Sequence, residues 1–144
     1  VAFSTAIIHL KTVATTQPSF FLLILEDDEA EIELFELLLK KYFPNWQHVI
    51  VRGGDELLEF LKAEPPVSLL LLDVYLPGKD GIAVLEEVRQ IDHYQRLPVV
   101  GFSNKASRSA IDALMLQGVN AFFEKPLSSD AMVNLLRKLP TIGR

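Results

Sequence analysis

The chain has 144 residues, 49% of them hydrophobic, which suits one domain with a sizeable core and leaves too little for two. It contains no cysteine, so disulfides and thiolate metal sites are excluded, in keeping with a reducing, cytoplasmic setting. The formal net charge is −5 and no lysine or arginine cluster stands out, which argues against direct binding of nucleic acid.

The opening stretch, VAFSTAIIHLKTVATTQPSF, is moderately apolar, but Ser4, Thr5 and His9 interrupt it and no basic region precedes it. It lacks the uninterrupted apolar run of a signal peptide or a membrane span, and residues 1–18 are expected to be a poorly ordered extension. FFLLIL, residues 20–25, then runs into Glu26, Asp27 and Asp28, after which Ile32, Phe35, Leu39 and Tyr42 recur at helical spacing. This reads as strand, acidic turn, helix. Pro44 and Asn45 end the helix, and HVIV, 48–51, is the second predicted strand. After Gly53 and Gly54, a short helix over Asp55–Ala63 stops before Pro65 and Pro66, because a residue preceding proline is pushed out of helical geometry.

The third strand, Val67–Leu72, ends at Asp73. Beyond LPGKDG, residues Val84, Leu85, Val88 and Ile91 mark a third helix, and LPVVGF, 97–102, is a fourth strand leading into Ser103. A helix over Lys105–Gln117, with Ile111 and Leu114 inward, stops at Gly118, which enters left-handed geometry cheaply. NAFFE, 120–124, is the fifth strand; Lys125 and Pro126 follow it, and Ser128 caps a last helix whose apolar face includes Met132, Leu135 and Leu136.

Short apolar runs alternating with helical stretches predict an α/β fold, a doubly wound (βα)5 with a five-stranded parallel sheet. The flavodoxin-like strand order 2-1-3-4-5 is one common solution, and in such sheets ligands bind beyond the carboxyl ends of the strands. Glu26, Asp27, Asp73, Ser103 and Lys125 all fall at those ends.

Carboxylates gathered there repel by roughly 4 kcal/mol per close pair at an effective dielectric near 20, so a cation belongs among them. Lys125 compensates only in part. Hard oxygen donors without a nearby histidine favour Mg²⁺, with Mn²⁺ as a substitute. A metal, a lysine and a hydroxyl around one carboxylate suit phosphoryl transfer, with Asp73 as the nucleophile.

At this point the sequence resembles the receiver domain of two-component response regulators, the CheY-like domains, over roughly residues 19–139, with 140–144 as a tail. The resemblance rests on LILEDDE, LLLLDVYLPGKDG, VVGFSN and FFEKP, which occur in the family's order and separations. It implies the 2-1-3-4-5 sheet and makes Asp73 the phosphoacceptor. Glu26 and Asp27 become the Mg²⁺-binding acids, with Tyr75 lending its backbone carbonyl to the metal. Ser103 and Lys125 would bind phosphoryl oxygens, and the Lys125–Pro126 peptide would be cis. Phe122 takes the aromatic switch position: Ser103 drawn toward the phosphoryl group would let the Phe122 ring turn inward, remodelling the surface of helix 4, strand 5 and helix 5. The implied phosphodonor is a sensor histidine kinase or histidine phosphotransfer protein. The implied output is contact with an unidentified downstream protein, since only five residues follow Leu139.

Three features depart from the family's habits. Asn104 stands where a small residue is usual, while Tyr75 and Lys105 occupy the positions that tune autodephosphorylation and offer neither carboxylate nor amide to orient water. A slow phosphoryl decay is expected from Tyr75's bulk. The competing readings are a docking module that works unphosphorylated, a receiver belonging to a hybrid kinase, a haloacid dehalogenase-type phosphatase and a flavodoxin. The phosphatase requires an acid where Tyr75 stands, and the flavodoxin cannot place three acids in its phosphate loop. Asp28 reads as a helix-terminal charge. His9, His48 and His93 have no metal-ligand spacing, Trp46 reads as packing, and LPGKDG lacks the lysine-serine ending of a nucleotide loop.

Overall fold

The structure, a computed structural model, describes residues 19–75, 80–104, 107–125 and 128–143. Five strands, β1 (Phe21–Leu25), β2 (Gln47–Val51), β3 (Leu69–Asp73), β4 (Val99–Asn104) and β5 (Ala121–Lys125), alternate with α1 (Glu29–Tyr42), α2 (Gly54–Leu61), α3 (Gly81–Gln90), α4 (Arg108–Leu116) and α5 (Ser129–Lys138). The strands form one parallel sheet in the order β2-β1-β3-β4-β5.

Strand alternation divides the core into two layers. Leu23, Leu25, Leu70, Leu72 and Val99 point to one face and pack with Leu57, Leu61, Val84, Leu85, Val88 and Leu114 of α2, α3 and α4. Leu22, Ile24, Leu69, Leu71, Val100 and Phe102 point to the other and meet Phe35, Leu38 and Leu39 of α1 and Met132, Leu135 and Leu136 of α5. β1 and β3 are buried on both faces, which is why FLLIL and LLLLD lack polar alternation. β2, at the edge, reads QHVIV and is half-exposed.

Several boundaries differ from the sequence reading, each for a local reason. Leu97 donates its N–H to Tyr94 O at the end of a 3₁₀ turn (Asp92–Tyr94), so β4 begins after Pro98 and Ser103 lies inside it. Val67 donates to Pro65 O and Ser68 Oγ accepts from Phe21 N–H, so β3 starts at Leu69 and Asp73 is its last residue. α2 ends at Leu61 rather than Ala63, because the chain leaves through a left-handed Glu64, φ 54°, ahead of Pro65. Tyr42 is exposed rather than inward; Phe43, stacked on Trp46 with centroids 4.3 Å apart, covers that end of the layer. Trp46 is a packing residue, as read from the sequence, and Gly118 leaves α4 at φ 80°. Residues 1–18, with His9, lie outside the described residues, as do Lys105, Pro126 and most of LPGKDG.

Candidate functional site

The carboxyl ends of β1, β3 and β5 bring four of the five candidate residues together. Glu26, the first residue after β1, is fully buried. Its Oε2 accepts the N–H groups of Asp27 and Asp28, both at 3.0 Å, so the turn between β1 and α1 wraps around its own carboxylate. Asp28 then caps α1 by accepting from Ala30 N–H at 3.1 Å, the helix-terminal role read from the sequence.

Asp73 is 5% exposed. Its Oδ1 accepts the Tyr75 N–H at 3.1 Å, while its Oδ2 accepts from Lys125 Nζ at 3.1 Å. Lys125, the last residue of β5, also donates to Glu26 Oε1 at 2.9 Å, and its ammonium stands 4.5 Å from the centroid of the Phe102 ring. Asp27 is half-buried, and one carboxylate oxygen from each of Glu26, Asp27 and Asp73 lies within 4.8 Å of the other two.

Ser103 is almost wholly buried in β4, one residue past Phe102, the register partner of Asp73. Asn104 and Tyr75 are exposed, and Phe122 is half-buried against the α2–α4 layer. The Phe122 ring covers Gly101: a Cβ there would stand 3.2 Å from its Cδ1. His48 faces Glu36 on the surface and His93 is exposed, so neither joins the site.

A fourth carboxylate that sequence reasoning missed completes the pocket. Glu31, in the first turn of α1, brings Oε2 to 2.6 Å from Lys125 Nζ. That oxygen is buried, and it meets Lys125 as a close ion pair. The signal was present in the sequence. Glu31 precedes Phe35 by four and Leu38 by seven, placing an acid on the inward stripe of α1.

Three carboxyl groups pair with one ammonium and Asp27 stands close to two of them, which leaves the pocket under-compensated, and the protonation tendencies follow. Burial pushes Asp73 up to about 6; the Lys125 charge opposes this and the Glu26 charge adds to it. Burial and the facing Glu26 carboxylate push Glu31 up to about 7. Burial acts on Glu26 in the same sense, but the neighbouring Glu31, the Lys125 ammonium and the Asp28 N–H outweigh it and leave Glu26 below the usual carboxylate range. Desolvation works against the charged form of Lys125, and its acidic partners overcome it, raising its affinity for its proton.

The donor set fits a hard divalent cation. It presents carboxylate oxygens at close spacing with no histidine or sulfur, and excess negative charge that one lysine does not balance. Glu26, Asp27 and Asp73 are the residues that would hold such a cation.

Comparison with known proteins gives a concordant result. A family model described as the response regulator receiver domain matches residues 22–137. The response regulator Rcp1 of Synechocystis is 30% identical over 116 residues, which span 76% of this chain and 79% of Rcp1. The signal transduction histidine-protein kinase BarA of Escherichia coli is 30% identical over 112 residues; these span 77% of this chain and 12% of BarA, so the match is to a small part of that kinase. Among solved structures, the Mn²⁺-bound form of Rcp1 superposes with a TM-score of 0.73 at 27% identity, covering 86% of this chain and 93% of that one. CheY4 of Vibrio cholerae also gives a TM-score of 0.73, covering 85% of this chain and 99% of that one, at 16% identity, a likeness of fold alone.

Proposed function

The chain belongs to the response regulator receiver family, and from that premise we propose that Asp73 accepts a phosphoryl group from the phosphohistidine of a sensor kinase or histidine phosphotransfer protein. The observation that carries this reading is the bond from Lys125 Nζ to Asp73 Oδ2 at the mouth of an acidic triad. A carboxylate oxygen of Asp73 attacks phosphorus as the P–N bond to the donor imidazole breaks, and the imidazole leaves with a proton. Asp73 stays reactive only while ionised, and the Tyr75 N–H and the Lys125 ammonium both favour that form.

Lys125 would transfer its N–H from Asp73 Oδ2 to a phosphoryl oxygen, and Ser103 would donate its hydroxyl to another. Mg²⁺, held by Glu26, Asp27, Asp73 and the Tyr75 carbonyl, would supply charge neutralisation to the phosphoryl oxygens. Phe122 would respond to the movement of Ser103 and alter the α4–β5–α5 surface, where a downstream protein would bind.

The receiver unit is proposed to run over 19–139. The likeness to part of BarA extends the proposal to receivers within hybrid kinases. The domain would promote only its own phosphorylation and dephosphorylation. Among the described residues no helix is long and apolar enough to cross a membrane. A cytoplasmic setting and the absence of direct nucleic-acid contact are part of the same proposal.

Incubation with Mg²⁺ and acetyl phosphate, followed by intact mass, tests it. A gain of one phosphoryl group that disappears in Asp73→Asn supports the proposal; no gain, or a gain unaffected by Asp73→Asn, defeats it.

A further inference from the structure

Lys125 is enclosed on more sides than phosphoryl transfer needs. Its ammonium has three protons. Two are directed at Glu26 Oε1 and Asp73 Oδ2, its third side faces Glu31 Oε2 at the shortest of the three distances, 2.6 Å, and the Phe102 ring lies beneath it. Glu31 is placed there by packing. It sits one helical turn ahead of Phe35, whose burial fixes the rotation of α1 and aims the Glu31 carboxylate at the end of β5. The Glu31 oxygen is buried and stands closer to the ammonium than either of the other two partners.

The two other partners have reason to release the lysine during the reaction proposed above, on which this inference rests. Asp73 gives its bond up as it becomes an acyl phosphate, and Glu26 belongs to the oxygen triad that suits a cation. Glu31 is outside that triad and outside the chemistry. We propose that Glu31 is a positioning residue that retains Lys125 on the α1 side of the pocket and restrains phosphoryl uptake until the incoming phosphoryl oxygens outcompete it. The effect is positional rather than a matter of net charge, and the two can be separated. Glu31→Gln removes the charge, whereas Glu31→Asp keeps it but draws it back by about 1.5 Å, one C–C bond, out of reach of Lys125.

The test is the rate at which Asp73 gains a phosphoryl group from acetyl phosphate at saturating Mg²⁺, followed by intact mass. Both Glu31→Gln and Glu31→Asp are expected to label about two- to fivefold faster than the unsubstituted protein, the scale of one lost ion pair. Glu33→Gln, which removes an exposed charge from the same helix, should change the rate less than twofold. The ¹⁵N resonance of Lys125 Nζ should move in both Glu31 variants and stay in Glu33→Gln, and thermal melting verifies that each variant is folded. Acceleration in Glu31→Gln alone would reduce the effect to charge, and unchanged or slower labelling in both would overturn the proposal. If the unsubstituted protein takes no label, the phosphoacceptor reading has failed instead, and an unmoved Lys125 resonance would still show that Glu31 does not hold the lysine.

Discussion

Gly81 and Val74 approach so closely that a Cβ on the glycine would stand 2.8 Å from Val74 Cα and 2.9 Å from Val74 O. The Gly81 N–H donates to that same carbonyl at 2.8 Å, which docks the start of α3 directly behind Asp73. Any side chain at position 81 must push the helix and the end of β3 apart. Gly81→Ala is therefore expected to cost about 1–3 kcal/mol through overpacking, lowering the melting temperature by about 3–6 °C per kcal/mol in a domain of this size. Because Val74 adjoins Asp73, labelling by acetyl phosphate should fall as well. Thermal melting and intact mass on one preparation check both; a variant with unchanged stability would mean the backbone gives way more easily than this contact implies.

Removing Lys125 leaves Glu26, Glu31 and Asp73 facing one another without a counter-charge. Lys125→Met keeps the apolar stem and loses the ammonium. Breaking a buried ion pair on one side typically costs about 3–5 kcal/mol, but these carboxyls can escape part of that by taking up protons. The loss of stability should therefore be larger at pH 8 than at pH 5, as read by urea denaturation at the two pH values. Equal losses would show that the carboxyls do not interact through the lysine. Labelling of Asp73 should drop sharply at either pH.

The protonation of the wild-type pocket sets how metal and pH act on stability. Asp73 is raised from 3.8 to about 6 and Glu31 from 4.5 to about 7, so between those limits the folded protein holds protons that the unfolded chain has lost. Stability from these two groups is greatest at acid pH and declines as pH rises toward 7. Glu26, lowered, acts with the opposite sign, its contribution being lost as pH falls below the usual carboxylate range. Lys125, raised, contributes throughout this window, and that contribution is lost only at strongly alkaline pH. A divalent cation competes with the protons on Asp73. Saturating Mg²⁺, at about a hundred times its dissociation constant, should add about 2.7 kcal/mol. At fixed Mg²⁺ concentration the rise in melting temperature should be larger at pH 8 than at pH 5. A rise independent of pH, or reversed in order, would contradict this.

The sheet was legible because β1 and β3, two adjacent interior strands, are almost wholly apolar and buried on both faces. The order β2-β1-β3-β4-β5 became readable from the resemblance, since alternation alone left other windings open. The site was legible where side chains sit at strand ends, as Glu26, Asp73 and Lys125 do. Glu31 was harder to read: its spacing to Phe35 and Leu38 places it on the inward stripe, but an acid in the first turn of a helix is ordinary at the dipole's positive end, and only the tertiary structure brings this one to Lys125. Arg89 was hidden for a similar reason. Its guanidinium donates to the carbonyls of Tyr94, Leu97, Gln117 and Gly118, tying α3 to the end of α4 and the approach to β4. Carbonyl acceptors leave no trace in a sequence.

Tyr75 couples to Asp73 through its backbone N–H, at 3.1 Å, while its side chain is exposed beside the pocket. The two parts can be altered separately, since a side-chain substitution leaves the hydrogen bond in place. Hydrolysis of an acyl phosphate requires a water in line with the phosphorus, and the Tyr75 ring carries no amide or carboxylate to hold one there. Tyr75→Asn supplies such a group and removes the ring. The phosphorylated wild type is expected to keep its label for minutes or longer in Mg²⁺, whereas Tyr75→Asn should lose it about tenfold faster, less than the roughly hundredfold that a fully positioned polar group contributes to a water attack. The extent of initial labelling should change little, because the Tyr75 N–H still supports the Asp73 carboxylate. Decay within seconds in the wild type, or equal decay in the two proteins, would show that the side chain at position 75 does not govern access of water to the phosphoryl group.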